Sequence, residues 1–191
     1  MNALPALALE PDPYQQLLDL PENLVGEIID GALYTQSRPS GPHGMSEGGI
    51  FSDAYIPFQR GSGGPGGWWI LMEPELHFIR DREVLVPDVA GWRRERMPKI
   101  PSEHRFEVVP DWVCEVLSPS TARKDRLLKL AVYARFGVGF CWLVDPLART
   151  VEVFRLVEGQ WLLEGVHGGE ARMRAVPFDA VEMDLSLWWV D

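Results

Sequence analysis

Two carboxylates stand inside apolar stretches of this sequence: Asp88 in Val84-Leu-Val-Pro-Asp-Val-Ala90, and Glu115 in Trp112-Val-Cys-Glu-Val-Leu117. Side chains alternate along a strand, so Val84, Val86, Asp88 and Ala90 fall on one face of a strand expected at residues 83–92. Val113, Glu115 and Leu117 fall on one face of a second, expected at residues 111–117. A lone acid in an apolar stripe is costly to bury unless a cation neutralises it, and neither stretch carries a Lys or Arg. One divalent ion shared by Asp88 and Glu115 would satisfy both. Oxygen ligands with water at the remaining positions suit Mg²⁺ or Mn²⁺ rather than zinc, and such an ion can activate water and stabilise charge at a phosphoryl centre. The plainer alternative is that each acid stands at a strand edge in water or caps a loop.

A cation is available on the next element. Ser118-Pro119-Ser120 stops the second strand, and a helix is expected over residues 121–136, with Ser120 as its N-cap and Gly137 at its end. Asp125, Lys129 and Tyr133 recur every four residues and share one face of it. Lys129 is then either part of the chemistry or a solvated partner of Asp125, with Lys124 as the alternative ammonium. His43 is isolated near a helix start, and His77, His104 and His167 show no metal-ligand spacing. Ser118 and Ser120 lack a histidine partner for a nucleophilic triad. The glycine-rich run at residues 61–67 lacks the Lys-Ser/Thr of a phosphate loop.

These candidates must be positioned by a chain of 191 residues, enough for one domain, read here as residues 11–191 behind a flexible leader at 1–10. The net charge of −10 has the wrong sign for holding nucleic acid by counterion release alone. Local basic segments would have to serve: one around Arg93, Arg94, Arg96, Lys99 and Arg105, and one at residues 123–129. No stretch approaches the roughly 20 apolar residues of a membrane span, and the N-terminus does not read as a secretory signal, so cytoplasmic residence is expected. Cys114 and Cys141 sit in apolar strands and read as free, buried thiols. The pattern gives a hairpin turned at Asp30-Gly31, a helix at 43–59, strands at 68–78, 140–144, 150–156 and 160–163, and an irregular tail.

In order along the chain come Glu27-Ile-Ile-Asp-Gly31, His43, Pro87-Asp88-Val89, Glu115-Val-Leu-Ser-Pro-Ser-Thr121, Asp125, Lys129, Tyr133 and Trp142-Leu-Val-Asp-Pro146. This series resembles the Uma-two family of restriction-endonuclease-like proteins, a domain of unknown function in the PD-(D/E)XK nuclease superfamily. The resemblance implies an α/β (α+β) restriction-endonuclease-like core, a mixed β-sheet flanked by helices with added β-hairpins. It implies a metal site of Glu27, Asp88 and Glu115 for Mg²⁺ or Mn²⁺, with catalysis by Asp88, Glu115, Lys129 and Glu27. Contacts to nucleic acid, DNA in the first instance, would come from Arg93, Arg94, Lys124, His43 and Tyr133. The broad nuclease pattern has a lysine two residues after the glutamate, where this chain has Leu117, and the resemblance makes Lys129 the migrated lysine. A homodimer would suit cleavage of both strands of a duplex. The competing reading is a nuclease-fold binding or assembly protein without turnover, which the acidic charge favours.

Overall fold

Short apolar strands cannot bury their faces alone, and in this protein they pair into two mixed sheets. The computed structural model describes residues 12–190, so the leader expected at 1–10 lies outside the described residues. Helix α1 (Pro13–Leu18) precedes the hairpin β1 (Leu24–Ile29) and β2 (Ala32–Ser37), turned at Asp30 and Gly31 with φ of 49° and 78°, the Asp-Gly signature of a two-residue turn. Helix α2 (Gly41–Ala54) ends in a π-helical turn, Tyr55–Gln59. Strands β3 (Trp68–Met72), β4 (Glu75–Ile79), β5 (Glu83–Leu85), β6 (Val89–Arg93), β7 (Arg105–Phe106) and β8 (Trp112–Val116) follow. Then α3 (Ala122–Lys124), a π turn (Asp125–Lys129) and α4 (Leu130–Phe136) run on without a break to Gly137, a left-handed cap. Strands β9 (Phe140–Asp145), β10 (Thr150–Val157) and β11 (Gln160–Gly168), the short pair β12 (Arg172–Met173) and β13 (Met183–Asp184), and a 3-10 turn (Leu185–Trp188) complete the described chain.

The six-stranded sheet has the order β11-β10-β9-β8-β6-β3, and the five-stranded sheet β2-β1-β5-β4-β7. Strands β8 and β9 run parallel, joined by the α3–α4 crossover, and their other neighbours in that sheet are antiparallel. Strand β8 is buried along its whole length because both faces are covered. On one face Trp112, Cys114 and Val116 pack with Trp142, Phe178 and Trp188, beneath α2 and the 3-10 turn. Gly49 of α2 is needed there, since a Cβ on it would lie 2.9 Å from the Trp188 ring. On the other face Val113 and Leu117 pack with Val132 and Tyr133 of α4 and with Leu76 and Leu85 of the five-stranded sheet. Alternation therefore aims Glu115 at α4, inside the second core.

Two expectations are corrected here. The single strands read at 68–78 and 83–92 are each divided between the two sheets. One break falls at Glu73-Pro74, where Glu73 has φ of 43°, and the other at residues 86–88 around Pro87. Proline offers no N–H to a ladder and restricts the residue before it, so neither strand can continue in register. Asp88 thus stands in a sheet-to-sheet crossing, off any strand face. The two crossings are bonded to each other, the Glu73 N–H donating to the Asp88 carbonyl at 2.9 Å. Thr121 rather than Ser120 occupies the N-cap position of α3. Ser120 instead bonds Ser118, as part of a hydroxyl cluster with Thr121.

Candidate active site

Where the two sheets part, a cleft of about 210 Å³ opens between the loops at residues 37–40 and 118–121. Asp88 and Glu115 both line it. Beneath it lies an ion network that joins the sheets. Glu27 of β1 and Glu115 of β8 are buried, and the Lys129 ammonium sits between them, 2.8 Å from Glu27 Oε1 and 2.7 Å from Glu115 Oε2. Its third bond goes to the Val86 carbonyl at 3.2 Å. Lys124 donates to Glu27 Oε2 and, at 2.6 Å, to Gln36 Oε1. Tyr133 donates its hydroxyl to Glu115 Oε1, and the Val86 N–H donates to Glu27 Oε1 at 3.0 Å. The π turn helps to make this possible: five residues of α-helix separate side chains by about 140°, whereas its wider i to i+5 closure brings Lys124 and Lys129 to the same carboxylate.

The electrostatics follow from the number of partners. Burial works against ionising Glu27, but two lysines overcome it and hold its carboxyl below the ordinary range. Burial pushes Glu115 well up. Lys129 opposes that rise, while Asp125, Asp88 and Glu27 add to it. Burial likewise works against the Lys129 ammonium, and the surrounding carboxylates, Glu115 first, more than reverse it. Tyr133 is pushed well up by burial and by Glu115, so its hydroxyl remains a donor.

A second group meets at Asp88. Its Oδ2 accepts the Val116 N–H at 2.6 Å, and its Oδ1 lies 3.2 Å from His43 Nε2. Glu47 stands one helical turn after His43 on α2, and one ligand atom from each of His43, Glu47 and Asp88 lies within 4.8 Å of the others. Burial raises the Glu47 carboxyl to about 7, with Asp88 and Glu73 adding to the rise. Burial also works against a charged His43, but the bond and charge of Asp88 raise it nonetheless. Glu47 Oε1 and His43 Nδ1 are buried without a protein partner among the described residues. An unpartnered carboxylate oxygen beside two other acids fits a cation, and two carboxylates with one imidazole form a donor set able to hold a divalent metal ion.

The expected metal set of Asp88, Glu115 and Glu27 therefore divides. Glu27 and Glu115 are already neutralised by lysines, while Asp88 meets His43 and Glu47, the latter a residue that the sequence reading missed. The His-x-x-x-Glu spacing on α2 was the available signal. Lys124, Lys129 and Tyr133 belong to the network, as His43 belongs to the Asp88 group. Arg93 and Arg94 do not line the cleft. They lie at the far end of β6 from Asp88, where Arg93 stacks on Trp68 and Arg94 stacks on Trp69 and donates to the carbonyls of Trp68 and Gln59. Cys114 and Cys141 are free and buried.

Two mixed sheets around a parallel β-α-β crossover, with acids at the opening between them and two lysines in the ion network beneath it, define a restriction-endonuclease-like α+β protein. The sequence matches the Uma2 family, described as "Putative restriction endonuclease", over residues 11–186, and the chain belongs to that family. A crystal structure from Anabaena variabilis, described as "a putative nuclease belonging to DUF820", superposes with a TM-score of 0.70 at 24% identity, covering 93% of this chain and 98% of that one. No curated protein matches the sequence. Among the described residues, no helix is long and apolar enough to cross a membrane.

Proposed function

We propose that the protein hydrolyses phosphodiester bonds of nucleic acid with the help of a divalent ion. The observation that carries this reading is that His43 and Asp88, which line the cleft together with Glu115, each bring a ligand atom within 4.8 Å of one on the buried Glu47, whose Oε1 has no protein partner among the described residues. His43, Glu47 and Asp88 would hold the ion, and a water in the cleft between it and Glu115 would complete the site. When bound, Mg²⁺ or Mn²⁺ supplies positive charge at the phosphoryl oxygens and lowers the pKa of water.

The chain's own groups divide the remaining work. Lys129 has all three N–H groups engaged by Glu115, Glu27 and Val86, so it acts as a positioning residue for the two carboxylates. Lys124 uses two, on Glu27 and Gln36. Its remaining N–H makes Lys124, rather than Lys129, the lysine with a donor to spare, although it is not among the residues that line the cleft. Tyr133 fixes the rotamer of Glu115 from the opposite side. The arrangement favours turnover over a silent binding role, because a binding surface needs no unpartnered buried carboxylate.

Titration calorimetry with Mn²⁺ on wild type and Asp88→Ala, run beside a cleavage assay on single-stranded and duplex DNA, tests the proposal. It predicts loss of both metal binding and cleavage in the variant. Equal Mn²⁺ affinity in the two proteins would remove Asp88 from the site.

A further inference from the structure

Among the described residues, Arg38 is the only arginine or lysine that lines the cleft. Its Nε and Nη2 both donate to the Glu22 carbonyl, at 3.3 and 3.0 Å, which sets the plane of the guanidinium and leaves the rest of its N–H fork without a partner among the described residues. A guanidinium oriented in this way is prepared for a phosphate and loses little side-chain freedom on binding one. Around it the charge is negative. The cleft wall carries Glu73, Asp88, Glu115 and Asp125. The groove that continues from Arg38 carries Glu22, Glu73 and Glu75, with no second arginine or lysine among its described residues.

A duplex carries about one negative charge per 1.7 Å of axis. Laid across this opening, it would bring the phosphates of its second strand onto those acids. A single strand can leave one phosphate on Arg38 and turn its next residues into solvent. In the basic segment after β6, Arg94 is engaged by main-chain carbonyls and Arg96 by Asp111. We propose that Arg38 holds a phosphate next to the scissile one, and that the cleft takes a single flexible strand of nucleic acid in preference to a duplex. This inference rests on the nuclease reading of the site. It assigns Arg38 to binding, and with one strand as substrate it requires no second copy of the chain.

The test compares wild type, Arg38→Ala and Arg38→Lys. Each binds a labelled single strand of about six nucleotides, and a duplex of about twelve base pairs, across a series of salt concentrations with Ca²⁺ present. Arg38→Ala should weaken single-strand binding about tenfold and flatten the slope of log K against log salt by about 0.7. Arg38→Lys should restore the slope but only part of the affinity. Mn²⁺ affinity, read by calorimetry, should stay at the wild-type value in both variants. An unchanged salt slope in Arg38→Ala overturns the assignment of Arg38, and tighter binding of the duplex than of the single strand overturns the substrate class. A wild-type protein that binds Mn²⁺ but neither nucleic acid refutes the nuclease reading itself, and this inference falls with it.

Discussion

Replacing Lys129 by methionine asks how much of this protein's stability depends on one buried ammonium. The substitution nearly conserves the side-chain stem and removes the charge. In the native protein that charge lies 2.7 Å from Glu115 and 2.8 Å from Glu27, at 1% side-chain exposure. Removal leaves two buried carboxylates facing each other, with Lys124 compensating only Glu27. Breaking a buried pair by deleting one partner costs about 3 to 5 kcal/mol, against well under about 1 kcal/mol for a solvated partner of Asp125. The cost should depend on pH. Glu115 is already pushed well up, and without Lys129 it is pushed further, so at low pH the variant can take up a proton on Glu115 and limit the damage. Folded Glu115 then holds a proton that the unfolded chain releases as the pH rises, and the variant loses stability over that rise. Urea melts at pH 5 and pH 8 should show the larger deficit at pH 8. A loss below about 1 kcal/mol at both values would refute the argument that Lys129 neutralises two buried acids.

Two further outcomes follow from the same geometry. Glu47 should make the protein less stable as the pH rises: its carboxyl is raised from 4.5 to about 7, so its contribution is complete below about 4.5 and lost as the pH passes 7. With chelator present, Glu47→Gln should abolish that loss and gain about 2 kcal/mol on wild type between pH 5 and pH 8, after a discount for solvent screening; parallel pH profiles of the two proteins in denaturant would contradict it. Lys124→Met should lower the cleavage rate by about 10²- to 10³-fold while costing less stability than Lys129→Met, and a rate equal to wild type would assign Lys124 to structure alone.

The helix face of Asp125, Lys129 and Tyr133 was legible because a four-residue spacing survives in any helix, and the aim of Glu115 was legible because β8 is a regular strand. Asp88 was not. Val84 to Ala90 alternates as one strand would, and only Pro87 hints at the break, since the choice of sheet for each half is made by partners far away in sequence. The same holds for Glu27, whose compensation by Lys124 spans 97 residues and leaves no local trace. Glu47 was hidden by its setting: a segment with four glycines between 41 and 49 reads as a weak helix, so its i, i+4 relation to His43 was not drawn. Here the helix is held by packing, Gly49 against Trp188 above all, rather than by propensity.

The apolar slot at Leu117 then has a physical reason. A lysine there would project from β8 alone, from the same strand as Glu115, into a core shared with Val113, Val132 and Leu143. On the helix, Lys129 approaches from across the core and reaches Glu115 of the six-stranded sheet and Glu27 of the five-stranded sheet with the same ammonium. One charge therefore compensates two buried acids and ties together the two sheets whose parting makes the cleft. Such a lysine is poorly placed to move during a reaction, because any displacement uncovers both carboxylates at once. Under the proposed function a mobile proton donor would have to be a different residue, and within the network the more exposed Lys124, which shares Glu27 but keeps an N–H to spare, is the candidate.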